Sequence, residues 1–224
     1  MPPKAILFDL DETLTDRNKS LMRYSIEFLQ IFKSYFTDVS SEDLYQLLKS
    51  ADENGYRLRD DVFAQLVEEL PWAHKPLETF QISEHWASRF PFCSVATTGL
   101  YKVLDTLKSS GIILGIITNG GTFSQNNKID ALGIRDYLDT IIISETVKVK
   151  KPDSDIFAIA LEKINVSASE TWYIGDNPAN DVIGSYTAGL TPVWIRGIHP
   201  WLEGHDEPLY QIDSIKQVLS LLPS

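Results

Sequence analysis

The sequence predicts an α/β fold, a doubly wound parallel sheet with a smaller helical domain inserted near its start. Three observations predict it. Short, near-continuous apolar runs recur and are bounded by turn residues, as strands buried on both faces require. From residue 98 onward these runs alternate with segments of helical periodicity, the pattern of parallel strands joined by crossover helices. From about 18 to 90 the periodicity is helical throughout, so a helical block interrupts the sheet after its first strand.

The elements follow in order. Residues 4–8 are apolar after Lys4 and stop at Asp9, as a buried strand would. In the helical block, Leu21, Tyr24, Phe28, Leu29 and Phe32 recur at helical spacing, followed by Leu44, Leu47 and Leu48, then Val62, Phe63, Leu66 and Leu70. Pro71 and Pro76 break the helices, and the segment around Trp86 begins another. A helix over 100–110 stops at Gly111, a strand spans 112–117, and a helix over 123–132 stops at Gly133. Strand 140–143, helix 154–164 and strand 171–174 come next. Asn177-Pro178 reads as the cap and first residue of a helix ending near Gly189. Strand 192–195, a surface loop over 201–208 and a last helix over 213–222 complete the chain. Residues 1–16 and 92–224 are therefore assigned to the α/β core and 17–91 to the helical domain.

Composition narrows the function classes. The chain has 224 residues, 43% of them hydrophobic and 23% charged, which excludes a disordered polymer and allows a real apolar core. Its 31 acids against 20 bases give a net charge of −11. A body this acidic repels phosphate backbones, so no nucleic-acid polymer is expected as partner. Small phosphates are repelled as well unless a cation reverses the field locally. Cys93 stands alone, which rules out an intrachain disulfide, and with no basic neighbour it reads as a packing residue. No apolar run approaches the ~20 residues of a membrane helix, and the short run at 5–8 does not make a signal peptide. A soluble, cytoplasmic protein is expected, with no membrane partner; monomer and homodimer both stay open. His74, His85, His199 and His205 are scattered and read as surface or structural residues.

The chemistry is carried by four acids. Asp9 and Asp176 stand at, or one residue after, the ends of apolar strands, with Asp11 and Asp181 close behind them. If those strands are neighbours, the carboxylates meet above the sheet edge, where two of them about 4 Å apart repel by roughly 4 kcal/mol at an effective dielectric near 20. Such a cluster needs a cation, a protonated member or a basic partner. An oxygen-only donor set suits Mg²⁺, and no His or Cys cluster points to zinc. Thr118-Asn119 and Lys151-Pro152 also fall at ends of strands or starts of helices on the same edge, where open α/β sheets bind ligands.

In order, these segments resemble the four motifs of the haloacid dehalogenase-like hydrolase superfamily, over the whole chain. Asp9-Leu10-Asp11-Glu12-Thr13 is similar to the first motif and Gly175-Asp176 with Asp181 to the fourth; Thr118 and Lys151 stand for the second and third. The resemblance implies a sheet order of 5-4-1-2-3 and makes the helical insertion a cap domain. It implies Asp9 as a nucleophile forming an aspartyl-phosphate, and Asp11 as general acid and then base. Mg²⁺ would be held by Asp9, Asp176 and the Asp11 carbonyl. Thr118 and Lys151 would hold the phosphoryl oxygens, with Asp181 orienting Lys151 or a metal-bound water. Asn119, Gly120 and Arg17 are the candidate substrate-binding residues. Lys148 and Lys150 compete with Lys151 on sequence; the resemblance favours Lys151, because it directly precedes Pro152 as in the family's third motif. Glu12 stands where many members carry Gly.

The implied activity is a Mg²⁺-dependent phosphomonoesterase acting on a small phosphorylated metabolite. Residues 175–195 are similar to the branch with pyrimidine 5′-nucleotidases and N-acylneuraminate 9-phosphatases, which points to nucleoside monophosphates or sugar phosphates. The alternatives are a phosphomutase, a haloacid dehalogenase on the same nucleophile, or a silent binding protein. Asp11 and Asp176 weigh against dehalogenation, which needs neither a second acid nor a metal cluster.

Overall fold

The computed structural model describes residues 2–55 and 57–222. The first apolar run forms β1 (Ala5–Phe8), with all four side chains fully buried. Four helices follow: α1 (Arg17–Phe32), α2 (Ser41–Asp52), α3 (Arg59–Glu69) and α4 (Thr79–Arg89). The chain then alternates through α5 (Leu100–Ser109), β2 (Ile113–Thr118), α6 (Thr122–Leu132), β3 (Thr140–Ile143), the short α7 (Ser144–Val147), α8 (Ser154–Ile164) and β4 (Thr171–Gly175). After a π-helical stretch, Pro178–Ile183, come α9 (Gly184–Thr187), β5 (Thr191–Ile195), β6 (Tyr210–Ile212) and α10 (Val218–Leu221).

All strand pairings are parallel, in the order β3-β2-β1-β4-β5-β6. The five-strand order implied by the resemblance is present, with β6 added at one edge. That strand lies just after the expected loop, and three residues are too few for a periodic signal. The final helix over 213–222 is correspondingly reduced to a 3₁₀ turn, Ile215–Gln217, and the four-residue α10.

Period-two alternation sends β1 side chains to both faces of the sheet. Ile6 and Phe8 pack with Leu100, Val103, Leu104 and Leu107 of α5 on one face. Leu7 packs with Ile117, Ile142, Phe157 and Tyr173 on the other. Each such side chain contributes about 1.5–3 kcal/mol by leaving water, which anchors the central strand that carries Asp9. Asp153 caps α8 as its type suggests, its side chain accepting the Asp155 N–H at 3.0 Å.

The chain divides into two compact units, Met1–Asp16 with Ala96–Ser224, and Arg17–Val95. The second boundary falls after Val95 rather than at 91, because Phe90 and Cys93 are buried in the helical core with Tyr24, Phe28 and Trp86. Trp86 stacks on Phe90 with ring centroids 3.9 Å apart, and Trp72 packs on Phe36 while donating its indole N–H to Val67 O at 2.8 Å.

The helical unit also buries a charge. Asp52 accepts from Arg17 Nε and Nη2, both at 2.6 Å, and from Arg59 Nη1. Burial alone would raise the Asp52 carboxyl; the Arg17 and Arg59 guanidiniums overrule it and hold the group below its ordinary value of 3.8. Its stabilisation is therefore present above pH 3.8 and lost as pH falls through the lowered value. Asp52→Asn should cost about 3 kcal/mol near neutral pH, since it leaves two cations sharing a neutral partner. In urea titrations the gap between the two proteins should close below pH 3.8. A gap that stays constant with pH would show that the ion pairs are not its source.

Candidate active site

The register of β1 decides which residues meet. Phe8 pairs with Ile116 of β2 on one side and Ile174 of β4 on the other. The residues just beyond these strands therefore share one edge, and Asp9 extends the ladder by donating its N–H to Ile174 O at 2.9 Å. Asp9, Thr118, Asp176 and Asp181 are all buried there.

Lys151 is the hub. Its ammonium lies 2.6 Å from Asp9 Oδ1, 2.6 Å from Asp181 Oδ1 and 2.8 Å from the Tyr173 hydroxyl, with a side chain only 3% exposed. Lys148 and Lys150 are exposed, so the turn before α8 turns one lysine inward and leaves the other two in solvent. Burial would strip the proton from Lys151, but Asp181 and Asp9 reverse that and keep it a cation. In the sequence Tyr173 is one more residue of the strand over 171–174. Its ring lies in the apolar core and its hydroxyl donates to Ile117 O at 2.9 Å, so it fixes Lys151 from below. A tyrosine within an otherwise apolar strand is a faint signal for such a role.

The fourth motif owes its shape to Gly175 and Asp181. A Cβ on Gly175 would lie 2.5 Å from the Asp181 Cβ and collide with its carboxyl, so only glycine lets the acid fold over the strand end. Asp181 Oδ2 accepts the Asn177 N–H at 2.9 Å. The same turn widens the backbone: the N–H groups of Asp181 and Val182 both reach Asn177 O, and the expected helix begins as π-helix for six residues. Asp176 Oδ1 accepts from the Thr13 hydroxyl at 3.1 Å, linking the first and fourth motifs directly, and the Trp194 indole N–H holds the Asp176 carbonyl at 3.0 Å.

His199 takes the structural rather than the surface side of its sequence reading. Its Nε2 lies 2.9 Å from Asp176 Oδ2 and its side chain is 11% exposed. The loop after β5 brings it back over the sheet edge, and a path through irregular chain carries no periodic signature.

Asp11 faces a different set of partners. Both of its carboxylate oxygens lie 2.7 Å from Lys128 Nζ, and Gln125 Nε2 reaches Oδ2 at 3.1 Å. Gln125 also donates to the Thr118 hydroxyl, joining the second motif to the first. Neither residue was singled out in the sequence. Glu12, where Gly is common in similar sequences, has φ +61°, a left-handed conformation that glycine adopts without penalty.

The three candidate substrate-binding residues each have partners within the protein. The Asn119 amide clamps the backbone of Lys151, donating from Nδ2 to its carbonyl at 3.0 Å and accepting its N–H at 2.9 Å. It thus positions the lysine. The Gly120 N–H donates to Ser144 Oγ at 3.0 Å. Arg17 lies in the helical unit, on Asp52.

One carboxylate oxygen from each of Asp9, Asp176 and Asp181 lies within 4.8 Å of the others. Burial raises the Asp9 carboxyl well above its ordinary value; Lys151 opposes this, and Asp181, Asp176 and Asp11 push it further up. Burial likewise raises Asp176, with repulsion from Asp181 added, against the pull of His199 and Lys151. Three buried acids with one ammonium are short of positive charge. An all-oxygen donor set with that deficit fits a hard divalent cation.

Comparisons with known proteins identify the family. A family model of haloacid dehalogenase-like hydrolases matches residues 6–195. Among curated relatives, a glyceraldehyde 3-phosphate phosphatase of Pyrococcus abyssi is 34% identical over 197 residues, which cover 86% of this chain and 81% of the relative. The pyrimidine 5′-nucleotidase YjjG of Escherichia coli is 28% identical over 225 residues, covering 97% and 96%. The chain therefore belongs to the haloacid dehalogenase-like hydrolase family and is a hydrolase. Its fold is shared with the magnesium-bound HAD-hydrolase YfnB from Bacillus subtilis, at a TM-score of 0.71 and 23% identity over 99% of each chain. Among the described residues no helix is long and apolar enough to cross a membrane.

Proposed function

We propose that this protein is a Mg²⁺-dependent phosphomonoesterase of small phosphorylated metabolites, sugar phosphates or nucleoside monophosphates, with Asp9 as nucleophile. The observation that carries the reading is the Asp9–Lys151–Asp181 constellation beside Asp176 at the end of β1. The phosphatase names of the two relatives support it, and their different substrates are the reason the class stays broad.

The residues divide the work as follows. Asp9 Oδ1 is held by Lys151, which aims the carboxylate, while Oδ2 accepts no hydrogen bond among the described residues. An Asp9 oxygen attacks phosphorus, the bond from phosphorus to the leaving oxygen breaks, and Asp11 gives that oxygen its proton. Asp11 then takes a proton from the water that attacks phosphorus, releasing phosphate and restoring Asp9. Lys151 and the Thr118 hydroxyl stabilise charge on the phosphoryl oxygens. Asp181 keeps Lys151 charged and in place. Mg²⁺ would be held by Asp9, Asp176 and the Asp11 carbonyl, and would supply the positive charge needed to admit a phosphate dianion. The helical unit is assigned the role of a cap that selects substrate.

Turnover should be measured on a panel of phosphate monoesters, with phosphate release as readout. EDTA should abolish it and added Mg²⁺ restore it. Full activity in EDTA would remove the metal from the reading. Chloride release from a 2-haloacid with no phosphatase activity would point to dehalogenation instead.

A further inference from the structure

We infer that Lys128, assisted by Gln125, is a positioning residue that sets the orientation of Asp11 for proton transfer to the leaving group. The inference rests on the phosphatase reading above. Gln125 and Lys128 are three residues apart on one face of α6 and both are buried, at 2% and 7% exposure. Their neighbours on the helix, Ile129 and Leu132, belong to the apolar core. A buried lysine is costly unless its ammonium is fully engaged. This one lies at equal distance, 2.7 Å, from the two oxygens of Asp11, while Gln125 Nε2 adds a third contact to Oδ2. A half-exposed carboxylate gripped by three such contacts has one preferred orientation. Its side chain is 36% exposed and so remains reachable from solvent.

Packing by itself does not call for an ion pair at this position. Replacing a buried ion pair by apolar side chains is often neutral or stabilising, and a leucine or methionine at position 128 would continue the core stripe of α6. The arrangement is explained by what Asp11 must do. When Asp11 hands its proton to the leaving oxygen, the carboxylate it becomes is the form that Lys128 and Gln125 hold. The same held carboxylate then faces the water that it must deprotonate. Gln125 also bonds Thr118, so the phosphoryl-binding hydroxyl and the proton-transfer group are set by one helix face.

The test is leaving-group dependence. Lys128→Met, Lys128→Arg and Asp11→Asn are compared with the wild type on 4-nitrophenyl phosphate, whose leaving group needs no proton, and on glycerol 2-phosphate, whose alkoxide does. Lys128→Met should lower kcat/KM on the alkyl ester by about 10²-fold, in the range of general acid catalysis, and change it only a few-fold on the aryl ester. KM should be little changed, any fall in thermal stability should be small because Asp11 is 36% exposed and water can take over its contacts, and Lys128→Arg should recover most of the loss. Equal losses on both esters, no loss on either, or a loss that follows a fall in melting temperature would overturn the inference. The outcomes also separate it from the phosphatase reading. If the wild type hydrolyses neither ester, that reading fails and the inference falls with it. If the wild type is active and Asp11→Asn shows the leaving-group signature while Lys128→Met does not, the reading stands and the inference alone fails.

Discussion

Asp9→Asn should abolish turnover, with kcat falling on the order of 10⁴-fold or more, the scale on which removal of a nucleophile acts. The amide oxygen can still accept from Lys151, so the geometry around the ammonium survives. The neutral side chain cannot form the acyl phosphate. Folding stability should stay level or rise, because Asp9 is buried and repelled by Asp181, Asp176 and Asp11 in addition to being attracted by Lys151. The paired measurement is steady-state phosphate release and urea unfolding on the same preparation. Retention of activity within tenfold of wild type would remove Asp9 from the nucleophile's role.

Lys151→Met should be the most destabilising change at the site, by about 3–5 kcal/mol, because it leaves buried carboxylates without their cation. Among the described residues Lys151 is the contact shared by Asp9, Asp181 and Tyr173, and its side chain is 3% exposed, so solvent cannot replace it. Activity should fall by at least 10²-fold through loss of charge stabilisation at the phosphoryl group. The double variant Lys151→Met, Asp181→Asn should regain part of the lost stability, since it removes one of the stranded acids. Additive losses in that cycle would show that the two groups do not interact across the 2.6 Å contact. A double variant that regains stability but no activity would separate the structural role of the pair from its catalytic one.

The two effects have a common cause. The site concentrates acids at the end of β1 and β4, where the backbone ladders bring them together whatever their mutual repulsion. Such an arrangement is held by the sheet's apolar core and is costly in itself, which is the usual relation between a functional site and the stability of its scaffold. Lys151 offsets one part of the cost, and in the proposed reading Mg²⁺ would offset the remainder.

Much of this was legible in the primary structure. Buried strands read as unbroken apolar runs because parallel strands face helices on both sides, so their order along the chain followed from hydropathy alone. Asp9, Asp176 and Asp181 were legible because each follows a strand at a fixed offset, and Thr118 and Lys151 because they fall on the same edge. β6 was missed because three residues carry no period. The π-helical turn at Pro178–Ile183 was missed because it arises from a side chain, Asp181, reaching back to Asn177 and Lys151.

Local pattern and chain order are enough to specify the layer architecture, the helical insertion and the acids at the strand ends. The tertiary structure alone decided which polar groups those acids meet. Tyr173 under Lys151, Asn119 on the lysine backbone, His199 on Asp176 and Lys128 on Asp11 join residues 22 to 117 positions apart. A hydrogen bond is satisfied by geometry within about 3 Å, and nothing in the spacing of two residues along a chain specifies that distance once a sheet and its crossovers lie between them.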